Sequence, residues 1–314
     1  MQAVILAAGM GTRLRPVTAN RSKAMVPVLG RPLVERALLP FVENGVRDFV
    51  FVISPDDAEI ESHFTEHTSL DITARFVIQE ERLGMAHALR QAAPLVDGRF
   101  AVSACDSMLD PAHVRKLLSV DDDADAVLSL LDVEPEKLCR SGVVELDGAR
   151  IRRIVEKPSP ENAPSNTVSL PHYVFSSRLL ELLPSVQPSI RGEYEIQDAI
   201  QGLIDGDRMV IGVLADERFQ VSSPENLLEL THQLFLDGSE PPRIGPATVS
   251  GGLHLVEPYH IERGAMLGDD CQIGPEAFLE SGCFVGDGAV VRRSVVLRGG
   301  RVARGETVVD RIVT

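Results

Sequence analysis

The chain is short of cysteine and of lysine and has no long apolar run, and each shortage narrows what it can be. Its four cysteines, Cys105, Cys139, Cys271 and Cys283, neither pair as C-x-x-C nor reach the density of a disulfide scaffold, so they read as reduced thiols. No apolar stretch approaches the ~20 residues that cross a bilayer. Residues 1–8 run straight into an apolar strand without a basic n-region or a cleavage site, so no signal peptide is expected and the cytoplasm is the expected compartment. Positive charge is in deficit: lysines and arginines number 31 against 46 aspartates and glutamates, a formal net charge of -15. With no long basic run, a nucleic-acid partner is not expected. What remains is a folded globular chain, 44% hydrophobic and 25% charged, whose 314 residues favour two domains.

The first two thirds alternate short β-branched runs with amphipathic stretches. Strands are expected over 3–6, 48–54, 72–78, 100–104 and 126–131, and helices over 32–44, 55–64, 84–92 and 111–118. This is βαβ grammar and predicts an α/β, Rossmann-like, mostly parallel sheet that binds ligands at the carboxyl ends of its strands. The run Asp237, Gly238, Ser239, Glu240, Pro241, Pro242 breaks the pattern and reads as a linker. It separates an expected domain of residues 1–238 from one of residues 239–314.

Beyond the linker the period becomes six. Leu255, Ile261, Leu267, Ile273, Leu279, Val285, Val291 and Leu297 are aliphatic at six-residue spacing, and Ala265, Cys271, Ala277, Cys283 and Ala289 form a small-residue track two positions earlier. Gly268, Gly274 and Gly286 follow aliphatic positions directly. Aliphatic residues inside a triangular prism, small ones at its corners and glycine at its tight turns predict a left-handed parallel β-helix. A flat face carrying residues such as Phe278 and Phe284 could pair with its own copy, so a homo-oligomer is expected.

The first strand runs into Leu6-Ala7-Ala8-Gly9-Met10-Gly11-Thr12-Arg13-Leu14-Arg15-Pro16, with Lys23 following. A strand feeding a glycine-containing, arginine-bearing loop aims backbone N–H groups at phosphate oxygens. Arg13, Arg15, Arg21, Lys23, Arg31 and Arg36 stand against the single acidic Glu35 in this stretch, so an anion suits it. The pattern is neither G-x-G-x-x-G nor a P-loop, since no Gly-Lys-Ser/Thr follows. Together, A-A-G-M-G-T-R-L and a lysine ten residues after the arginine resemble the signature of the sugar-1-phosphate nucleotidyltransferases. Lysine usage agrees. Only Lys23, Lys116, Lys137 and Lys157 occur, and two of them sit at motif positions, where a compact ammonium and a planar guanidinium are not interchangeable.

The resemblance continues in order along the first domain. Gln79-Glu80-Glu81-Arg82-Leu83-Gly84-Met85-Ala86-His87-Ala88 is similar to the segment that grips the base, and 102–109, Val-Ser-Ala-Cys-Asp-Ser-Met-Leu, to the strand ending in the metal-binding aspartate. Gly142-Val143-Val144-Glu145, Glu156-Lys157-Pro158, Asn166, Tyr173 and Arg191-Gly192-Glu193-Tyr194-Glu195 follow. The family relationship implies nucleotide contacts from Leu6, Ala7, Ala8, Gly9, Gly11, Thr12, Gln79 and Gly84. It implies a sugar-phosphate pocket of Gly142, Glu156, Lys157, Asn166, Tyr173 and Glu193, and catalytic roles for Arg13, Lys23 and Asp106. Mg2+ is the implied cofactor, with Asp106 and Gln220 as metal candidates. The implied substrates are an NTP, dTTP or UTP favoured, and a sugar or cyclitol 1-phosphate.

Three positions depart from the family pattern. Gln220 stands where a second metal-binding aspartate is expected, and its amide oxygen can still accept or coordinate. Cys105 adds a side chain before Asp106, and Pro171 removes a backbone donor near the sugar ring. These departures leave open a catalytically weak or inactive homologue that binds nucleotide and regulates. A third reading, an acyltransferase in the repeat, would need a basic histidine between coils; His254 and His260 lie before or at the start of the regular repeat.

Overall fold

Runs of β-branched and aromatic residues buried on both faces make strands, and nine of them form one sheet in the computed structural model of the chain. The structure describes residues 1–238, 243–245, 248–249 and 251–314, so residues 239–242 of the expected linker lie outside the described residues. In chain order the strands are β1 (Gln2–Leu6), β2 (Asp48–Ile53), β3 (Thr73–Ile78), β4 (Phe100–Ala104) and β5 (Ala126–Asp132). They continue with β6 (Gly142–Asp147), β7 (Arg150–Glu156), β8 (Thr167–Phe175) and β9 (Val210–Leu214). Their spatial order is β3-β2-β1-β4-β8-β5-β9-β7-β6. Seven strands point one way; β8 and β7 run against them. The sheet is therefore Rossmann-like and mostly parallel.

Helices Leu33–Glu43, Met85–Ala92, Pro111–Leu118 and Ile196–Asp205 connect or cover these strands. Pro111–Leu118 starts where Asp110 accepts the N–H of Ala112 at 2.7 Å, a carboxylate N-cap followed by proline at the first helical position. One face of the sheet buries Val4, Val50, Val102, Leu128 and Leu130 against Leu89, Ile196, Ile200 and Leu203. Each such side chain contributes about 1.5–3 kcal/mol by leaving water. The expected helix 55–64 is shorter, Ala58–Ser62, and continues as a wider turn over His63–His67.

The chain divides into two compact units, Met1–Gly9 with Val34–Phe219, and Met10–Leu33 with Gln220–Thr314. The glycine-rich segment from Met10 onward thus packs with the C-terminal strands. Those strands form three parallel sheets in which every third strand pairs. Tyr259 pairs with Ala277, Met266 with Phe284 and Leu253 with Cys271, eighteen residues on in each case. The next repeat is one residue shorter: Phe278 pairs with Val295, Phe284 with Arg301 and Val290 with Thr307. The stacked aliphatic after Leu279 is consequently Val296, not the Leu297 that the six-residue spacing selects. Ile261, Leu267, Ile273, Leu279, Val285, Val291, Val296, Val302 and Val308 share one core with Cys271, Cys283 and Ala289.

Candidate active site

Parallel strands deliver their carboxyl ends to one edge, and two candidate segments meet there. Leu6 lies opposite Val52 on one side and Ala104 on the other. Beyond it the Ala7 N–H donates to the Val52 carbonyl at 2.8 Å, and the Cys105 N–H to the Leu6 carbonyl at 3.1 Å. The turn carrying half-buried Asp106 therefore sits beside Leu6, Ala7 and Ala8. Arg82 adds a clamp, its Nε donating to the Ala8 carbonyl at 2.7 Å. Gly9 is exposed, and a Cβ there would meet nothing within 4 Å; the protein itself leaves that space open.

Behind Asp106 lies a polar chain that only the fold could reveal. His172, fully buried on β8, has Nδ1 3.1 Å from Ser103 Oγ and Nε2 2.9 Å from Ser107 Oγ. Burial, with a smaller push from Arg218, lowers its pKa to about 3 and keeps the ring neutral. Arg218 is itself lowered by burial, while the carboxylate of Asp106 pulls it back up. Asp106 thus projects from a turn braced by neutral hydrogen bonds and faced by a guanidinium.

The segment expected to grip the base is closed on itself and on the sugar-phosphate segment. Gln79 is buried, and its amide nitrogen donates to the Gly84 carbonyl at 3.3 Å and lies 3.0 Å from His87 Nδ1. Gly84 has φ +103°, and a Cβ there would fall 2.6 Å from the Tyr194 carbonyl oxygen; only glycine fits. The Tyr194 N–H bonds the Leu83 carbonyl at 2.7 Å, and the Ala86 N–H bonds that of Tyr194 at 3.0 Å. Half-buried Glu193 lies against the same turn.

The third cluster brings together three of the six expected sugar-phosphate residues, Gly142, Glu156 and Lys157. Glu156 closes β7 and Gly142 opens β6 directly opposite it. Lys157 Nζ lies 3.2 Å from Glu156 Oε1, and Arg191 Nη2 lies 3.7 Å from the same oxygen and 2.7 Å from Glu195 Oε1. Lys157 adopts φ +45°, a conformation that costs an ordinary residue of order 1–3 kcal/mol and collects at functional sites. Glu156 Oε2 is buried with no hydrogen-bond partner among the described residues. Asn166 is exposed, its carbonyl accepting from the Val133 N–H at 3.0 Å. Tyr173 packs within the core against Phe175, its hydroxyl bonded to Ser169 Oγ at 3.3 Å. Pro171 falls in the register shift between Ser169 and Tyr173 on β8, where the ladder is already interrupted and a missing N–H costs little.

Burial holds the Glu156 carboxyl above the usual carboxylate range, with Lys157 pulling the other way. A raised value means that the ionised carboxylate works against the fold at neutral pH and ceases to do so as pH falls through that value. Glu156→Gln should therefore melt no lower than wild type at about pH 7 and lose its relative advantage near pH 4, as read by thermal denaturation at both pH values.

In the second unit the loop is built on Gly11, in the left-handed conformation at φ 61°. Its carbonyl accepts from Thr18 Oγ1 and the Leu14 N–H, both at 2.9 Å. Exposed Thr12 and Arg13 lie on a short helical turn over Thr12–Leu14, and Lys23 opens another over Lys23–Met25, its side chain largely buried. Gln220 is half-buried at the end of the short strand Phe219–Gln220. No group of three or more His, Cys, Asp or Glu suited to a metal occurs among the described residues.

The sequence model of the nucleotidyl transferase family matches residues 2–233. The chain belongs to that family. A UTP–glucose-1-phosphate uridylyltransferase, AglF, of Haloferax volcanii is 35% identical over 239 residues, 74% of this chain and 96% of the relative. The bifunctional protein GlmU of Methanococcus vannielii is 28% identical and aligns with 100% of this chain and 78% of its own length. Among solved structures, UDP-glucose pyrophosphorylase complexed with UDP-glucose superposes with a TM-score of 0.68 at 22% identity, covering 75% of this chain and 98% of that one. That likeness establishes the nucleotidyl transferase fold. In this nucleotidyl transferase, Arg82 and His87 lie in the segment matched to the base-gripping motif but have no assigned role there, and Arg218 has no local signal; their contacts with Ala8, Gln79 and Asp106 come from the fold.

Proposed function

We propose that this nucleotidyl transferase couples a pyrimidine NTP, UTP or dTTP, to a sugar or cyclitol 1-phosphate, giving the NDP-sugar and pyrophosphate. The carrying observation is the cluster of Glu156, Lys157 and Arg191, where a buried carboxylate oxygen has no hydrogen-bond partner among the described residues and two cations lie beside the same carboxylate. A sugar hydroxyl suits the first and a phosphate the second. In the reaction an oxygen of the sugar phosphate attacks the α-phosphorus, and the bond to the β-phosphate oxygen breaks as pyrophosphate leaves. No covalent intermediate with the protein forms, so positioning and charge neutralisation are the whole task. Arg13 stabilises charge developing on the pyrophosphate side, Lys23 bridges phosphates, and Lys157 holds the sugar phosphate.

The donor set fits Mg2+ as a single-carboxylate anchor rather than a protein cage, because Mg2+ keeps waters and substrate phosphates as most of its ligands. Asp106 would hold it, with the amide oxygen of Gln220 as the second candidate. When bound, the ion supplies Lewis-acid neutralisation of phosphate charge.

The same reading takes residues 1–238 as the catalytic domain and 239–314 as a left-handed β-helix. The parallel pairing of every third strand supports the latter. Four cysteines that form no disulfide suit a cytoplasmic protein, and no described helix is long and apolar enough to cross a membrane. For a homo-oligomer, Phe278 is ruled out as the contact because it is wholly buried within its own chain. Phe284, half-buried under Arg301, keeps that role.

Pyrophosphate release from a panel of NTPs and sugar 1-phosphates with Mg2+ tests the function. Within it, Lys157→Ala should raise KM for the sugar phosphate about tenfold with a smaller change in kcat, and Arg13→Ala should do the reverse. Equal, small effects of both would defeat these assignments.

A further inference from the structure

The glycine-rich segment and the C-terminal strands share one compact unit, and the link between them is ionic and buried. Arg21, two residues before Lys23, donates from Nη1 to Glu280 Oε1 at 2.7 Å, with the two side chains only 6% and 9% exposed. Glu280 is held independently. Its Oε2 accepts the backbone N–H of Arg298 at 2.7 Å, and its own N–H bonds the Val296 carbonyl at 2.8 Å. Glu262, one repeat earlier, accepts the Ser281 N–H at 2.8 Å and shares the field of Arg21 and Arg298.

A second seat lies further along the same segment. Gly30 rests on the His260 ring, where a Cβ would come within 3.0 Å of Nε2. His260 in turn meets Phe278 edge-on at 5.5 Å. Phe278 points away from the aliphatic stack between Ala277 and Leu279, yet has no exposure. This sheet face is therefore covered rather than solvated.

We propose that Glu280 is a positioning residue for nucleotide binding: through Arg21 it sets the loop from Gly11 to Lys23, making the C-terminal coils part of the NTP site. The proposal rests on reading that loop as the triphosphate cradle. Removing either side of a buried pair leaves the other charge without its main partner, and among the described residues Glu280 then keeps only Arg298, whose Nε lies 3.9 Å from the same oxygen. Here the side free to move is the loop, because Glu280 is anchored to backbone in two directions. Loss of the pair should misplace Lys23 and its neighbours, and small misplacements of phosphate-binding groups are costly.

The test is steady-state kinetics on the full chain with NTP and sugar 1-phosphate varied separately, alongside Tm. Arg21→Met and Glu280→Gln should each raise KM for the NTP about tenfold while KM for the sugar 1-phosphate stays within about twofold. Arg21→Lys should recover most of the loss. The double variant should be no worse than Arg21→Met alone, since both remove one interaction. If Arg21→Met fails to fold, Arg21→Lys and Glu280→Gln make the same comparison. An unchanged NTP KM with a lowered Tm, or equal rises for both substrates, would show a merely structural pair and overturn the proposal. A wild-type protein that releases no pyrophosphate overturns the functional reading and this inference together; an active wild type with unmoved variants overturns this inference alone.

Discussion

Gly11→Ala is expected to lower kcat/KM about a hundredfold, the scale on which an ångström's misplacement of phosphate-binding groups acts. Two effects add. Gly11 sits at φ 61°, where an L-residue costs roughly 1–2 kcal/mol. The new Cβ would also lie 2.8 Å from Lys23 Cβ and 3.2 Å from Thr18 Cγ2. Cβ of Lys23 is not the yielding end of a flexible side chain, so the whole residue must shift. The bond from Thr18 Oγ1 to the Gly11 carbonyl loosens with it. Gly9→Ala is the matched folding control, because a Cβ there meets nothing within 4 Å. Kinetics and Tm on both variants check the expectation: Gly11→Ala should lose activity and some stability, whereas Gly9→Ala should melt as wild type does.

Asp106→Asn should lower kcat by about a thousandfold, the upper range for removing one electrostatic contributor to phosphoryl-type chemistry. Asparagine keeps the shape and an acceptor oxygen but removes the charge that a divalent cation needs. Among the described residues no cluster of other metal-ligating groups stands ready to replace it. Arg218 loses its neighbouring carboxylate as well, so the positive charge behind the turn goes unopposed. Adding Mg2+ at higher concentration should recover little of the loss. A variant within about tenfold of wild type would remove Asp106 from the machinery.

Much of this site could be read from the chain because its chemistry sits in short segments that the fold leaves intact. Gln79 and Gly84 form one loop; Glu156 and Lys157 are adjacent; Leu6 to Lys23 is continuous. Their carriers were legible too, since strands such as Phe100–Ala104 and helices such as Pro111–Leu118 show a local period and local caps. What escaped was set by distance. Nothing local says that Thr167–Phe175 inserts antiparallel between β4 and β5, or that its His172 then braces the turn of Asp106. The left-handed backbone of Lys157 has no sequence mark, since lysine is not a residue that seeks it. The six-residue period carried as far as Leu279 and Val291, then misplaced the stack by one at Leu297, because a shortened repeat changes register without changing composition. Phe278 looked available for a partner copy for a similar reason: a period shows which side chains leave the prism, not what lies over them.

Phosphorus-31 NMR of the full chain with UTP, Mg2+ and glucose 1-phosphate is the most direct measurement of the central claim, with dTTP and other sugar 1-phosphates as parallel samples. A nucleotidyl transfer site predicts loss of the triphosphate and sugar phosphate signals together, replaced by a diphosphate diester pair and free pyrophosphate. Triphosphate that persists with every partner, or that hydrolyses while the sugar phosphate signal stays unchanged, would contradict it.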